Sequence, residues 1–122
     1  MGLAAALTAC GCGEEKFHPT RGKVIVYGVG PLKEGEIRIR PKKNHSLVAT
    51  GKIQKDGSFS ATTPGHEGVL EGDCDVAIVF DSAGKKRPIA ERYSDFDTSG
   101  LTFSITRPDE NYLMFDVKKS GE

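Results

Sequence analysis

Apolar and polar residues alternate with a period of two through most of this chain, and that pattern constrains the fold more than any other feature. In Glu36-Ile37-Arg38-Ile39-Arg40-Pro41 the isoleucines fall on one side and the arginines on the other. Val24 and Val26 alternate with Lys23, Ile25 and Tyr27, and Phe59 stands alone among small polar neighbours in Ser58-Phe59-Ser60-Ala61-Thr62. In Cys74-Asp75-Val76-Ala77-Ile78-Val79-Phe80, the residues Cys74, Val76, Ile78 and Phe80 share a face. Segments Leu101–Ile105 and Leu113–Val117 complete about seven strands, with no helix expected beyond a turn. The fifteen Gly and six Pro punctuate them. Lys55-Asp56-Gly57 is a hairpin turn joining a strand near Leu47–Gln54 to Ser58–Thr62, because Gly accepts the positive φ such turns require. One polar face per strand implies antiparallel sheets packed on each other. The expectation is an all-β, seven-stranded antiparallel β-sandwich, with a closed barrel as the alternative.

The ends read differently. Leu3 to Ala9 is a short apolar run ending in Leu7-Thr8-Ala9-Cys10. This tetrad resembles the lipobox of bacterial lipoproteins, where a small residue admits the peptidase and the Cys thiol takes the diacylglyceryl group. Gly11-Cys12-Gly13-Glu14-Glu15 reads as a flexible tether. Residues 1–9 are then the remnant of a signal peptide whose basic region lies upstream of Met1, because nothing basic precedes Lys16. The expected division is 1–9 signal remnant, 10–17 lipidated Cys10 and tether, 18–118 β-sandwich and 119–122 tail.

The order of landmarks in the body resembles a known family. It runs Gly22-Lys23-Val24, Gly28, Pro31-Leu32, Gly35 to Ile39, Asp56-Gly57-Ser58-Phe59, Val76-Ala77-Ile78, then Tyr93 through Thr98-Ser99-Gly100-Leu101, and Phe115-Asp116-Val117. It is similar to small planctomycete-type bacterial lipoproteins carrying a transthyretin-like (prealbumin-like) domain related to carboxypeptidase regulatory-like domains. The likeness spans about Lys16 to Lys118, and Tyr93–Leu101 is its most specific part. Gly68–Gly72 departs from it, reading Val-Leu-Glu where those proteins are often Pro-rich. The resemblance implies a Greek-key sandwich, an envelope location and no catalytic constellation. Hydroxyisourate hydrolases share the fold, but their His/Arg site and C-terminal ending have no counterpart in Lys118-Lys119-Ser120-Gly121-Glu122.

Charge bounds the partners. Lys and Arg number 17, as do Asp and Glu, so the net charge is zero and a nucleic-acid partner is not expected. The charges are nonetheless segregated: Lys33 to Lys55 is mainly basic, and Glu67 to Asp81 is acidic throughout. Arg38, Arg40, Lys42 and Lys43 therefore form a possible patch for an anionic glycan or lipid head group. The competing expectation is that Arg38 and Arg40 pair across the sheet with Asp73 and Asp75. Asp95, Asp97 and Ser99 imitate half of a calcium loop, but Thr106 stands where the closing Glu belongs, and a self-capping turn explains them as well. His18, His45 and His66 fall in polar segments and are expected exposed, while Cys74 is expected as a small buried hydrophobe. No hydrolase elbow or phosphate-binding Gly loop occurs. No catalytic residue, metal or cofactor is expected, the membrane is expected as a partner through Cys10, and a protein or glycan partner is left open. An edge strand, the Asp81–Tyr93 loop and stacking on Tyr93, Phe96 or Tyr112 would serve a carbohydrate- or peptide-binding module.

Overall fold

A computed structural model describes residues 15–80 and 88–119. The strands are β1 (Phe17–His18), β2 (Thr20–Val26), β3 (Gly30–Pro31), β4 (Glu36–Pro41), β5 (Ala49–Lys52), β6 (Ser58–Ala61), β7 (Val69–Leu70), β8 (Gly72–Val79), β9 (Leu101–Ile105) and β10 (Asn111–Val117). β1, β3 and β7 are two-residue pieces, so the longer strands number seven, as the alternation implies. The only helical element among the described residues is a 3-10 turn over Glu91–Ser94.

Two four-stranded sheets face each other. One has the order β5-β4-β8-β9; the other places β10 on one side of β2 and both β6 and β3 on its other side. A small β1–β7 pair closes one end. The inward rows are those the period of two selects: Val24 and Val26 on β2, Ile37 and Ile39 on β4, Phe59 on β6, and Cys74, Val76 and Ile78 on β8 are all buried. Burying an aliphatic side chain of this kind stabilises by roughly 1.5–3 kcal/mol, so the facing rows dominate the fold's energetics.

Two pairings differ from the expected antiparallel scheme. β10 runs parallel to β2, in a register from Asn111 opposite Thr20 to Val117 opposite Val26, while every other ladder is antiparallel. No hairpin is involved: residues 27–110 lie between the two strands, long enough to return in either direction. The second correction concerns the Lys55-Asp56-Gly57 turn. It does reverse the chain, with Gly57 at φ 86° and the Asp56 carboxylate accepting from Ser58 N at 3.0 Å. The flanking strands, however, belong to different sheets: β5 pairs with β4 and β6 pairs with β2. Between the two arms run the Gln54 N to Ser58 O bond at 2.8 Å beside the turn and the reciprocal Thr50–Thr62 bridge, at 2.9 and 3.0 Å, rather than a continuous ladder. The segment is thus an arch from one layer to the other. Gly51 lets it form, because a Cβ there would lie 2.3 Å from the Ser60 carbonyl oxygen.

Candidate functional site

The outer face of the β5-β4-β8-β9 sheet carries a charge cluster built on the β4–β8 ladder. Arg40 stands opposite Asp75, which in turn stands opposite Thr102 of β9. Arg40 Nη2 donates to Asp75 Oδ2 and to Asp97 Oδ1, both at 3.2 Å, and its guanidinium lies 4.6 Å over the Phe96 ring. Lys42 Nζ is 3.6 Å from the other Asp75 oxygen. Burial works against the Arg40 charge, but hydrogen bonds and attraction from Asp75 and Asp97 outweigh it and hold the group above its ordinary pKa. The arrangement straps the Asp95–Gly100 loop to the sheet. Arg40 Nε has no partner and is buried, which is a residual cost of seating the side chain this deeply.

Of the residues of the basic patch suggested by the sequence, Arg38, Arg40 and Lys42 each already face a carboxylate. Arg38 pairs with Glu36 of its own strand at 2.7 Å, not with Asp73, and Asp73 accepts a hydrogen bond from Ser104. Arg40 and Lys42 face Asp75. Lys43 lies along the backbone at Gly72, where a Cβ would meet its Cε at 3.3 Å. Asp95, Asp97 and Ser99 are likewise engaged within the protein. Asp95 Oδ1 accepts from Asp97 N at 2.8 Å, and Asp97 meets Arg40. Buried Ser99 donates to Val76 O at 2.5 Å and accepts from Leu101 N at 3.1 Å. This is a self-capping turn, and Ser99 is its anchor into the core. Among the described residues no three His, Cys, Asp or Glu side chains gather as a metal site.

Several single residues are placed differently from their sequence expectation. His18 is buried, since β1 pairs it with Val69 and its Nε2 lies 3.3 Å from Glu71 Oε2. His66 is exposed and stacks on Phe17 with ring centroids 3.8 Å apart, and His45 is exposed. Tyr93 offers no stacking surface: its ring is buried, and its hydroxyl accepts from Lys118 N at 2.9 Å. Phe96 is occupied by Arg40. Cys74 is fully buried as expected, and burial beside Asp73 and Asp75 pushes its thiol up to about 11. Of the Asp81–Tyr93 loop, residues 81–87 lie outside the described residues, as do Cys10 and Cys12. Asn111 is the residue whose importance the sequence hides. Its buried amide accepts from Thr106 N and Arg107 N, both at 3.1 Å, and donates to Arg107 O at 2.9 Å, closing the β9–β10 connection.

A second surface opens on the other sheet. A shallow groove of roughly 300 Å³ is lined by Arg21, Lys52, Gln54, Ser58, Ser60 and Tyr112. Tyr112 is half exposed, and Arg21 sits 5.5 Å over its ring while pairing with Glu110 at 2.7 Å. An aromatic face, an amide, hydroxyls and two cations in one groove can hold a polar ligand by stacking and hydrogen bonds. Of its hydroxyls, Ser58 Oγ donates to the Asp56 carboxylate at 2.5 Å.

No protein-family model matches the chain, and no curated protein matches its sequence. Among solved structures, a pilus-presented adhesin is similar at 14% sequence identity with a TM-score of 0.32. That alignment covers 87% of this chain and 28% of the adhesin, so the chain spans less than a third of its length.

Proposed function

We propose that the chain is a lipid-anchored protein of the bacterial cell envelope, facing the periplasm or the exterior. Its body is a Greek-key sandwich of the transthyretin-like type, acting as a non-catalytic binding or structural module. The observation that carries this reading is Leu7-Thr8-Ala9-Cys10, followed by a Gly-rich and acidic stretch that ends just where strand β1 begins at Phe17. A thiol for the lipid, a small residue before it, and a polar spacer before the folded body are what a tethered domain requires. Two or three acyl chains hold a protein stably at a bilayer, whereas one gives marginal binding. No helix among the described residues is long and apolar enough to cross a membrane. The test is expression from the native locus with its upstream codons, comparing wild type with Cys10→Ser for metabolic incorporation of a palmitate analogue and for membrane sedimentation. Wild type labels and sediments with membranes, and C10S does neither; equal partitioning of the two overturns the anchor.

The Tyr112 groove favours a binding role for the sandwich over a purely structural one, with a carbohydrate or a peptide as the ligand class. Glycan and peptide arrays probed with wild type and Tyr112→Ala test it. Signals lost in Y112A support the groove, and silence of the wild type on both arrays removes it.

A further inference from the structure

We infer that the Tyr112 groove takes an acidic oligosaccharide, one sugar ring lying against Tyr112 and a uronate carboxylate meeting Lys52. The inference rests on the reading of this groove as a binding site and names its ligand. The groove crosses the sheet instead of following its edge. Tyr112 of β10 stands opposite Arg21 of β2, and Arg21 stands opposite Ser60 of β6. Beyond Ser60 runs the arm that carries Lys52, bracketed by the Gln54 N to Ser58 O bond and the Thr50–Thr62 bridge. Three lane spacings of about 4.8 Å separate Tyr112 from Lys52, roughly 14 Å in all. A lone anion or a single sugar cannot reach both ends, whereas a short chain of sugar rings can.

The chemistry along this row selects the ligand. Lys52 is exposed, and among the described residues its ammonium meets no carboxylate. Glu36 stands opposite it in the β4–β5 ladder but is held by Arg38 at 2.7 Å. Among the described residues that line the groove there is no Asp or Glu. Arg21 does not add to the unanswered charge, because it is paired with Glu110 at 2.7 Å and braces the Tyr112 ring from 5.5 Å. Tyr112 is still 47% exposed, and the C–H face of a pyranose ring packs on such a surface. Between the two ends lie groups suited to sugar hydroxyls. Ser60 Oγ makes no hydrogen bond among the described residues, and Gln54 keeps its amide oxygen while its Nε2 donates to Lys52 O at 3.3 Å. Ser58 donates to Asp56 and still accepts. A peptide backbone finds nothing equivalent, because β2 beneath the groove is paired on both sides and offers no open edge.

The test uses the isotope-labelled 122-residue chain carrying C10S and C12S, which leaves only the buried Cys74. The probes are short oligomers of galacturonate, mannuronate and glucuronate, their methyl esters, and a tetraglutamate peptide, each followed by amide chemical shifts. At least one uronate series saturates the shifts of Lys52, Ser60 and Tyr112, with a dissociation constant of about 0.1–1 mM. Its methyl ester keeps the rings, loses the charge and binds roughly three- to fivefold more weakly. Lys52→Gln weakens the acid by the same factor and leaves the ester unchanged, and Tyr112→Ala weakens both about tenfold. An ester that binds as tightly as its acid, or a K52Q chain that still prefers the acid, overturns the inference and leaves the groove a sugar site. Tighter binding of tetraglutamate than of any uronate overturns it in favour of a peptide. Absence of shifts with every probe also overturns it, and the groove itself falls only if the arrays are silent too. Lys52 and Tyr112 are exposed, and unchanged circular dichroism of K52Q and Y112A separates lost binding from lost folding.

Discussion

Replacing Gly22 by Ala tests the parallel β2–β10 pairing most directly. Gly22 sits mid-strand opposite Leu113 on one side and Phe59 on the other. A Cβ at this position would lie 2.0 Å from the Leu113 carbonyl oxygen and 2.8 Å from the tip of the Phe59 ring. Relief of the first contact requires β10 to retreat by more than an ångström, and it cannot do so while keeping its ladder bonds. Losing two such bonds costs about 1–3 kcal/mol, and displacing buried Phe59 adds an overpacking cost of roughly 1–3 kcal/mol. The expected destabilisation is therefore about 2–6 kcal/mol, a large fraction of the ~5–15 kcal/mol that holds a small domain folded. For a chain of this size the melting temperature falls by more than about 6 °C. Gly65→Ala is the control: φ is 81° there, but nothing lies within 4 Å of the new carbon, so only the backbone penalty of about 1 kcal/mol applies. Urea unfolding followed by circular dichroism gives both values on one scale. A G22A variant that unfolds within 1 kcal/mol of wild type, or no less stable than G65A, would refute the close approach of β2 and β10.

Three further outcomes are expected. The folded-state pKa of Cys74 is about 11, above the ~8.5 of a free thiol, so the unfolded chain sheds this proton first as pH rises. Stability is thus retained below about pH 8.5 and lost toward pH 11; urea midpoints of the C10S/C12S chain decline over that window, Cys74→Ala flattens part of the decline, and identical slopes reject the assignment. At the Arg40 strap, Arg40→Ala destabilises by about 2–3 kcal/mol because Asp75 loses its main partner and Phe96 its cap, whereas Asp97→Ala, at an exposed carboxylate, costs about 0–1 kcal/mol; equal effects would show that the strap does not depend on the buried pair. Ser99→Ala lowers stability by about 1–3 kcal/mol through the orphaned Val76 carbonyl and Leu101 amide, and calorimetric titration of wild type with calcium gives no binding heat; measurable heat abolished by Asp95→Asn would restore a calcium loop.

The sequence made the faces of the strands legible and left their partners hidden. Ile37 and Ile39 are buried and Arg38 is exposed because a period of two is a local property that survives into any sheet. The Asp56-Gly57 turn was legible for the same reason, since its chemistry is contained within four residues. Which layer each arm joins depends on Gly51 meeting Ser60, a contact no local pattern announces. Arg40–Asp75 could be anticipated from opposite charges on outward positions of two strands. Arg38–Asp73 failed because Ala77 and Thr50 stand opposite Arg38, leaving Glu36 as the nearest carboxylate. The sequence pattern puts His18 and Tyr93 at the surface and gives no sign of Asn111, and for one reason. Each is a polar residue in a polar segment, yet each is buried because its hydrogen bonds reach backbone or side chains of other elements. A residue's composition describes its own segment, whereas its burial is decided by what closes over it.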